Sequence, residues 1–215
     1  MAATETRLLV LGCVSLFEPV NGYQIRRELM SWEVDRWAHI HPGSIYSALT
    51  TLEKQGHLRR HDLLDVTREV AVYTTTDSGR RELRDLLAGA LRTVEVLDPL
   101  PLHAALSMCP LLDRPTTVDH LVARVEALVA HLADLRSKRT LASAGLAPPH
   151  VTRLVDLQVA QVEVELHWVR EVLAEVRAGG LSFAGETMAW RPAADDPGWQ
   201  MQTDRQRYLT LLAAR

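Results

Sequence analysis

The chain has 215 residues, 47% hydrophobic and 24% charged, an ordinary globular composition that excludes a disordered or collagen-like chain. Its formal net charge of -3 supplies no global positive field, so any nucleic-acid binding has to be local. The two cysteines, Cys13 and Cys109, both sit in apolar stretches, which excludes a disulfide scaffold or a zinc module and leads us to expect the reducing cytoplasm. The apolar run at 8–17 is too short to span a membrane and has no basic leader or small-residue cleavage site, so no membrane partner is expected.

In chain order, residues 5–17 are apolar almost all round and are followed by Pro19, the pattern of a buried helix. Asn21 is placed to cap a second helix, with Gln24 as its capping-box partner and Ile25 and Leu29 facing inward. A third helix is expected from Pro42, a favoured first position, to Gly56, a favoured stop. The helical period is then lost. Val70, Val72 and Thr74 alternate with Ala71 and Tyr73, a strand that pairs with 58–63 across a glycine-free turn at 64–67. Thr76 caps a long helix with an inward stripe of Leu83, Leu86, Leu87, Ala90, Leu91, Val94 and Leu97, ended by Asp98-Pro99-Leu100-Pro101.

The second half is helical throughout. Val118, Leu121, Val122, Val125, Leu128, Val129, Leu132 and Leu135 follow a helical i, i+3, i+4, i+7 series. After a Gly/Pro break at 145–149, a helix to about 178 carries two apolar stripes. One is Val151, Val155, Val162, Leu166, Val169, Leu173 and Val176; the other is Leu154, Leu157, Val164, Trp168 and Val172. Two stripes require two partners: the long helix, a second copy of the chain, or both. A short terminal helix is expected from Thr203.

Helix, helix, helix, hairpin, long helix is the order of a winged helix-turn-helix, whose third helix enters the major groove. With Ile45, Ala48, Leu49 and Leu52 inward, this helix turns Gly43, Ser47, Thr50 and Lys54 outward, flanked by Ser44, Tyr46 and Thr51. Small hydroxyl side chains let a helix lie close to base edges, and Lys54 is suited to a phosphate. The same face on its own is equally compatible with a solvated helix surface.

The strings LLVLGCVSLFEPVNGYQIRREL, PGSIYSALTTLEKQGHL and VYTTTDSGRREL resemble the PadR family of transcriptional regulators over residues 7–87. VEVELHW at 162–168 is similar to the last helix of the larger C-terminal domain found in one PadR subfamily. The family usually has Pro where Ser47 stands and Ser or Thr where His41 stands, and its wing tip is often basic, whereas here Arg68 alone lies between Asp65 and Glu69. The resemblance implies phosphate contacts by Tyr23 and Tyr46. With Gln24 and Arg68 these residues complete the expected DNA-contacting set.

Residues 1–98 are thus expected to form a mainly α winged helix-turn-helix domain with a two-stranded wing and a long linking helix. Residues 99–180 are expected to form a helical dimerisation domain and 181–215 a tail. Leu121, Val125, Leu128, Leu132, Leu166, Val169 and Leu173 are the candidate dimer residues, and Trp168 a candidate wall for a small aromatic effector of the phenolic or drug-like kind the resemblance implies. The expected function is a dimeric repressor on an inverted-repeat operator in double-stranded DNA. A winged-helix module that binds protein is the alternative.

Nothing in the sequence points to a cofactor. Among nine histidines only His57 and His61 have a ligand-like spacing, and they fall across the start of the wing. No phosphate loop, nucleophile elbow or paired catalytic carboxylates occur. Glu163, Glu165, Glu171 and Glu175 are expected to be solvated or paired with Arg170 and Arg177.

Overall fold

The computed structural model describes residues 2–187, 193–196 and 198–214, with side chains from residue 4 onward; Trp190 of the tail lies outside the described residues. Helix α1 (Ala2–Phe17) is the hub of the first core, with Leu8 to Leu11, Cys13 and Val14 all buried. A short strand β1 (Val20–Asn21) leads into α2 (Gly22–Ser31), where the capping box forms as expected: Gln24 N donates to Asn21 Oδ1 at 2.9 Å and Asn21 N to Gln24 Oε1 at 3.1 Å. A single turn, α3 (Val34–Trp37), precedes α4 (Pro42–Lys54). His41 makes no side-chain cap, so α4 starts on Pro42 alone; it ends before Gly56, which sits at φ 74.

The hairpin of β2 (Leu58–Asp65) and β3 (Arg68–Thr75) runs in register from Leu58 opposite Thr75 to Asp65 opposite Arg68. The turn therefore contracts to Val66 and Thr67, with Val66 taking the positive φ of 59 that a two-residue hairpin requires at its first position. The wing is not two-stranded only: β1 adds to its other edge, giving a three-stranded antiparallel sheet in the order β1-β3-β2.

Helix α5 (Asp77–Arg92) is capped by Thr76, whose Oγ1 accepts from Gly79 N at 3.0 Å, as expected. It ends five residues earlier than the apolar stripe, which runs to Leu97, suggests. Thr93 turns extended, Val94 reaches the second core, and Leu97 is exposed. The cause comes from the far side of the chain. The guanidinium of Arg124, 2% exposed, donates through Nη1 to the carbonyls of Ala90 (3.3 Å), Leu91 (3.1 Å) and Thr93 (2.7 Å), capping the open end of the helix. Its Nε and Nη2 face Glu165 at 2.7 and 2.5 Å.

A helix not expected from the sequence, α6 (Leu100–Met108), follows. It packs across α1 at Gly12, where a Cβ would come within 2.6 Å of Met108 Sδ. Because Leu102, Ala104, Ala105 and Met108 bury in the same core as α1, that core does not end at Asp98, where the sequence reading places the division.

After a 3-10 turn at Cys109–Leu111, α7 (Arg114–Leu141) and α8 (Pro149–Arg177) form an antiparallel hairpin, reversed through Gly145 at φ 85. Leu121, Leu128 and Leu132 meet Leu166, Val169 and Leu173 inside it, with Val125 packed against them. These expected dimer residues close the hairpin of a single chain, because the inner stripe of each helix finds its partner on the other. The stripe left unpartnered is the second one: Leu154, Leu157, Val164 and Trp168 are 58%, 55%, 71% and 39% exposed.

The tail helix is longer than expected, α9 (Gly198–Ala213), and docks on the outer face of the sheet. Tyr208 buries against Leu63 and Val72 and its hydroxyl accepts from Asn21 Nδ2 at 3.0 Å.

Replacing Arg124 by Met should cost about 3 kcal/mol, since it strands Glu165 and three helix-end carbonyls; urea denaturation at pH 7 measures it. A pH effect comes from His120, which accepts from Arg92 Nε at 2.9 Å. Burial, and then the Arg92 charge, hold its imidazole below the ordinary 6.5. A depressed folded value means that the unfolded chain binds more protons, so this contribution is full above about pH 6.5 and declines as the pH falls through that value. The loss of urea midpoint between pH 7.5 and 5.5 should shrink in His120→Gln, whose amide oxygen accepts without titrating.

Candidate nucleic-acid interface

Helices α2 and α4 are the two arms of a helix-turn-helix. Ile45, Leu49 and Leu52 fix α4 in the core and Ala48 packs partly against it, leaving Gly43, Ser44, Tyr46, Ser47, Thr50, Thr51 and Lys54 exposed. Thr50 Oγ1 donates to Tyr46 O at 3.1 Å and Thr51 Oγ1 to Ser47 O at 2.8 Å. Their hydrogens are thus spent within the helix, and methyl groups and acceptor lone pairs are what they offer outward.

The expected residues fall on two flanks of α4. Gly43, Ser44, Ser47 and Thr51 line one groove, shared with Arg7 of α1 and His39. Tyr23, Tyr46 and Arg68 come together at a second groove, about 490 Å3, between α2, the wing and α9. Thr50 and Lys54 line neither and stand on the ridge between. Tyr46 lies over Gly22, whose absent Cβ would come within 3.1 Å of its ring, so glycine there lets α2 and α4 approach closely. Tyr23 has the guanidinium of Arg26 over its ring at 5.2 Å.

Gln24 does not belong to this surface. It is 4% exposed, both of its amide groups are engaged, and its Nε2 donates to Asp204 Oδ2 of α9 at 2.9 Å. The capping box and α9 together consume the side chain. Conversely, sequence reading missed Arg59, an exposed cation on β2 that has no ion-pair partner among the described residues. Nothing in the sequence of β2 singles it out, since its neighbour Arg60 is equally exposed.

Other candidate chemistry resolves into structure. His57 Nδ1 lies 3.2 Å from Ser78 Oγ and His61 Nε2 3.0 Å from Thr74 Oγ1. Among the described residues no three His, Cys, Asp or Glu side chains gather to hold a metal. Burial pushes the Cys13 thiol up and the Cys109 thiol to about 11, leaving both protonated and weakly nucleophilic at neutral pH. Glu163 and Glu165 pair with Arg136 at 2.8 Å and Arg124 at 2.5 Å on α7, across the hairpin, not with Arg170 or Arg177.

Residues 10–85, from the middle of α1 to the first half of α5, match the model of the transcriptional regulator PadR-like family. The chain thus carries a PadR-like domain over these residues. The chain is also similar to crystal structures of PadR-like proteins. Bacillus subtilis PadR in complex with operator DNA is 23% identical, with 79% of this chain and 98% of that one covered and a TM-score of 0.34. The PadR-like transcriptional regulator BC1756 from Bacillus cereus is 24% identical, with 81% and 99% covered and a TM-score of 0.34. Bacillus subtilis PadR with p-coumaric acid is 20% identical, with 80% and 97% covered and a TM-score of 0.32. No curated protein matches the chain significantly. The PadR-like likeness therefore rests on the winged-helix segment at 10–85.

Proposed function

We propose that this PadR-like regulator is a sequence-specific repressor that binds an inverted-repeat operator as a homodimer and is released by a small aromatic effector. The observation that carries the DNA reading is the exposed outer face of α4. It is free of bulky side chains apart from Tyr46 and Lys54, Arg68 shares a groove with Tyr46, and Arg59 and Arg68 of the wing are exposed cations with no ion pair among the described residues. Such a face fits a major groove, with small side chains at base edges and cations at phosphates. The dimer reading is supported by the exposed second stripe of α8, an apolar surface that one chain does not cover. The effector reading is supported by Trp168, which lines two mostly apolar cavities of about 590 and 740 Å3 on either side of it.

One observation favours a different use of the wing. Its tip carries the exposed Leu64 and Val66, which suit a protein partner as well as a nucleic acid. The salt dependence of binding separates the two, since only phosphate contacts release counterions steeply.

Two experiments test the proposal. Lys54→Ala should weaken operator and random DNA about equally and lower the salt slope by roughly one, while Thr50→Ala should cost roughly 1–3 kcal/mol on the operator and leave random DNA nearly unchanged. Gel shifts at two salt concentrations measure both, and no change in either variant removes α4 as the reading helix. For the dimer, Val164→Glu places a charge in the middle of the exposed stripe. It should turn a sedimenting dimer into a folded monomer at micromolar concentration; a wild-type chain that already sediments as a monomer refutes the interface.

A further inference from the structure

A cavity of about 290 Å3 lies where the first turns of α1 meet the end of α5, the linker after it and the start of α6. Leu8, Leu86 and Leu102 supply an apolar wall. The charged lining is one-sided: Glu5, Asp85, Glu95 and Asp98 face a single cation, Arg124. None of the residues assigned to the α4 surface takes part.

Glu5 is the anomaly. It is 4% exposed, its Oε2 is sealed from solvent with no hydrogen-bond partner, and it forms no ion pair among the described residues. A buried carboxylate without a donor or counter-charge is costly enough that folded proteins almost always supply one. Arg124 makes no bond to Glu5: its Nε and Nη2 face Glu165 and its Nη1 the carbonyls of Ala90, Leu91 and Thr93. Nor do the surrounding carboxylates converge to hold a metal ion among the described residues. What is missing is a cation that brings its own hydrogen-bond donors and an apolar body.

The lining holds a second feature that the packing does not require. Gly89 occupies the last turn of α5, where glycine is a poorer helix former than alanine. A Cβ built there meets nothing within 4 Å, so no close contact explains it. Its effect is to keep that side of the cavity open.

We propose that this cavity binds a small organic cation, a primary amine on a compact apolar body, with the ammonium paired to Glu5. The charge balance selects a cation over an anion, the diffuse carboxylates select an organic cation over a metal, and the volume limits the body to about the size of one aromatic ring. The site does not depend on the DNA reading, and its test uses no DNA.

Calorimetry and thermal denaturation of the full chain with phenethylamine, 2-phenylethanol and phenylacetate measure the contribution of charge at nearly constant shape. Phenethylamine should bind saturably and raise the melting temperature, with the alcohol and the carboxylate weaker by roughly tenfold or more. Glu5→Gln should bring the amine down to the level of the alcohol. Gly89→Leu, which fills the cavity from an exposed helical position and improves helix propensity, should abolish amine binding while the far-ultraviolet circular dichroism stays helical. The proposal is overturned if phenethylamine does not bind or if 2-phenylethanol binds as tightly. Unchanged amine affinity in Glu5→Gln overturns it too, and should that variant fail to fold, unchanged affinity in Gly89→Leu does so by itself.

Discussion

The guanidinium of Arg124 is the joint on which the two halves of the molecule turn. It comes from the middle of α7, salt-bridges to Glu165 of α8, and closes the end of α5 by donating to the carbonyls of Ala90, Leu91 and the capping Thr93. Arginine suits this place because its flat fork serves a carboxylate and a helix terminus at once; the point charge of a lysine cannot span both. The opposite end of α5 is fixed with equal strictness. Thr76 Oγ1 donates to Gly56 O at 2.6 Å, and Gly79 lies so close to the chain that a Cβ would sit 2.0 Å from His57 O. Helix α5 is therefore a strut clamped at the end of α4 on one side and at the helical hairpin on the other. A shift of the hairpin, transmitted through Arg124 to the end of α5, has a direct mechanical route to α4.

This arrangement also marks the limit of what the sequence shows. Signals that act within one turn of chain were readable: the Asn21–Gln24 box, Pro42 at a helix start, Gly56 at a helix end, Thr76 as a cap, and the alternation from Val70 to Thr74. So were the long stripes of α7 and α8, because their period persists over many turns. The end of α5 was not, since Val94 and Leu97 continue its stripe while the residue that stops it lies 31 positions beyond Thr93. The inner stripe of α8 looked available for a second subunit because nothing local says that α7 covers it. Gln24 looked like a surface residue for the same reason: its second partner, Asp204, is 180 residues away.

In the proposed reading the distribution of charge on the DNA side has a chemical consequence. With a net charge of -3 and few cations near α4, attraction to phosphate comes from a handful of side chains and non-specific binding should be weak. Discrimination then falls on the hydroxyl face. Thr50 and Thr51 have turned their hydrogens to the helix backbone, so they present acceptors and methyls. Their complements in a major groove are the exocyclic amino groups of adenine and cytosine and the methyl of thymine, and not the acceptor-rich edge of guanine.

Helix α9 sets the remaining property of that surface. Arg207 bridges Asp65 at the tip of the wing and Asp204 within α9, both at 2.9 Å. Without that bridge the wing would carry an uncompensated carboxylate three residues from Arg68, and the apolar side chains of Leu63 and Val72 would lose the cover of Tyr208. By binding Gln24, Asn21 and Asp65 at once, α9 couples the cap of α2 to the wing through contacts that are individually weak but share one rigid helix. The charge of the wing is thus a property of the whole chain: the hairpin supplies Arg59 and Arg68, and Arg207 from the far terminus pairs with Asp65 beside them.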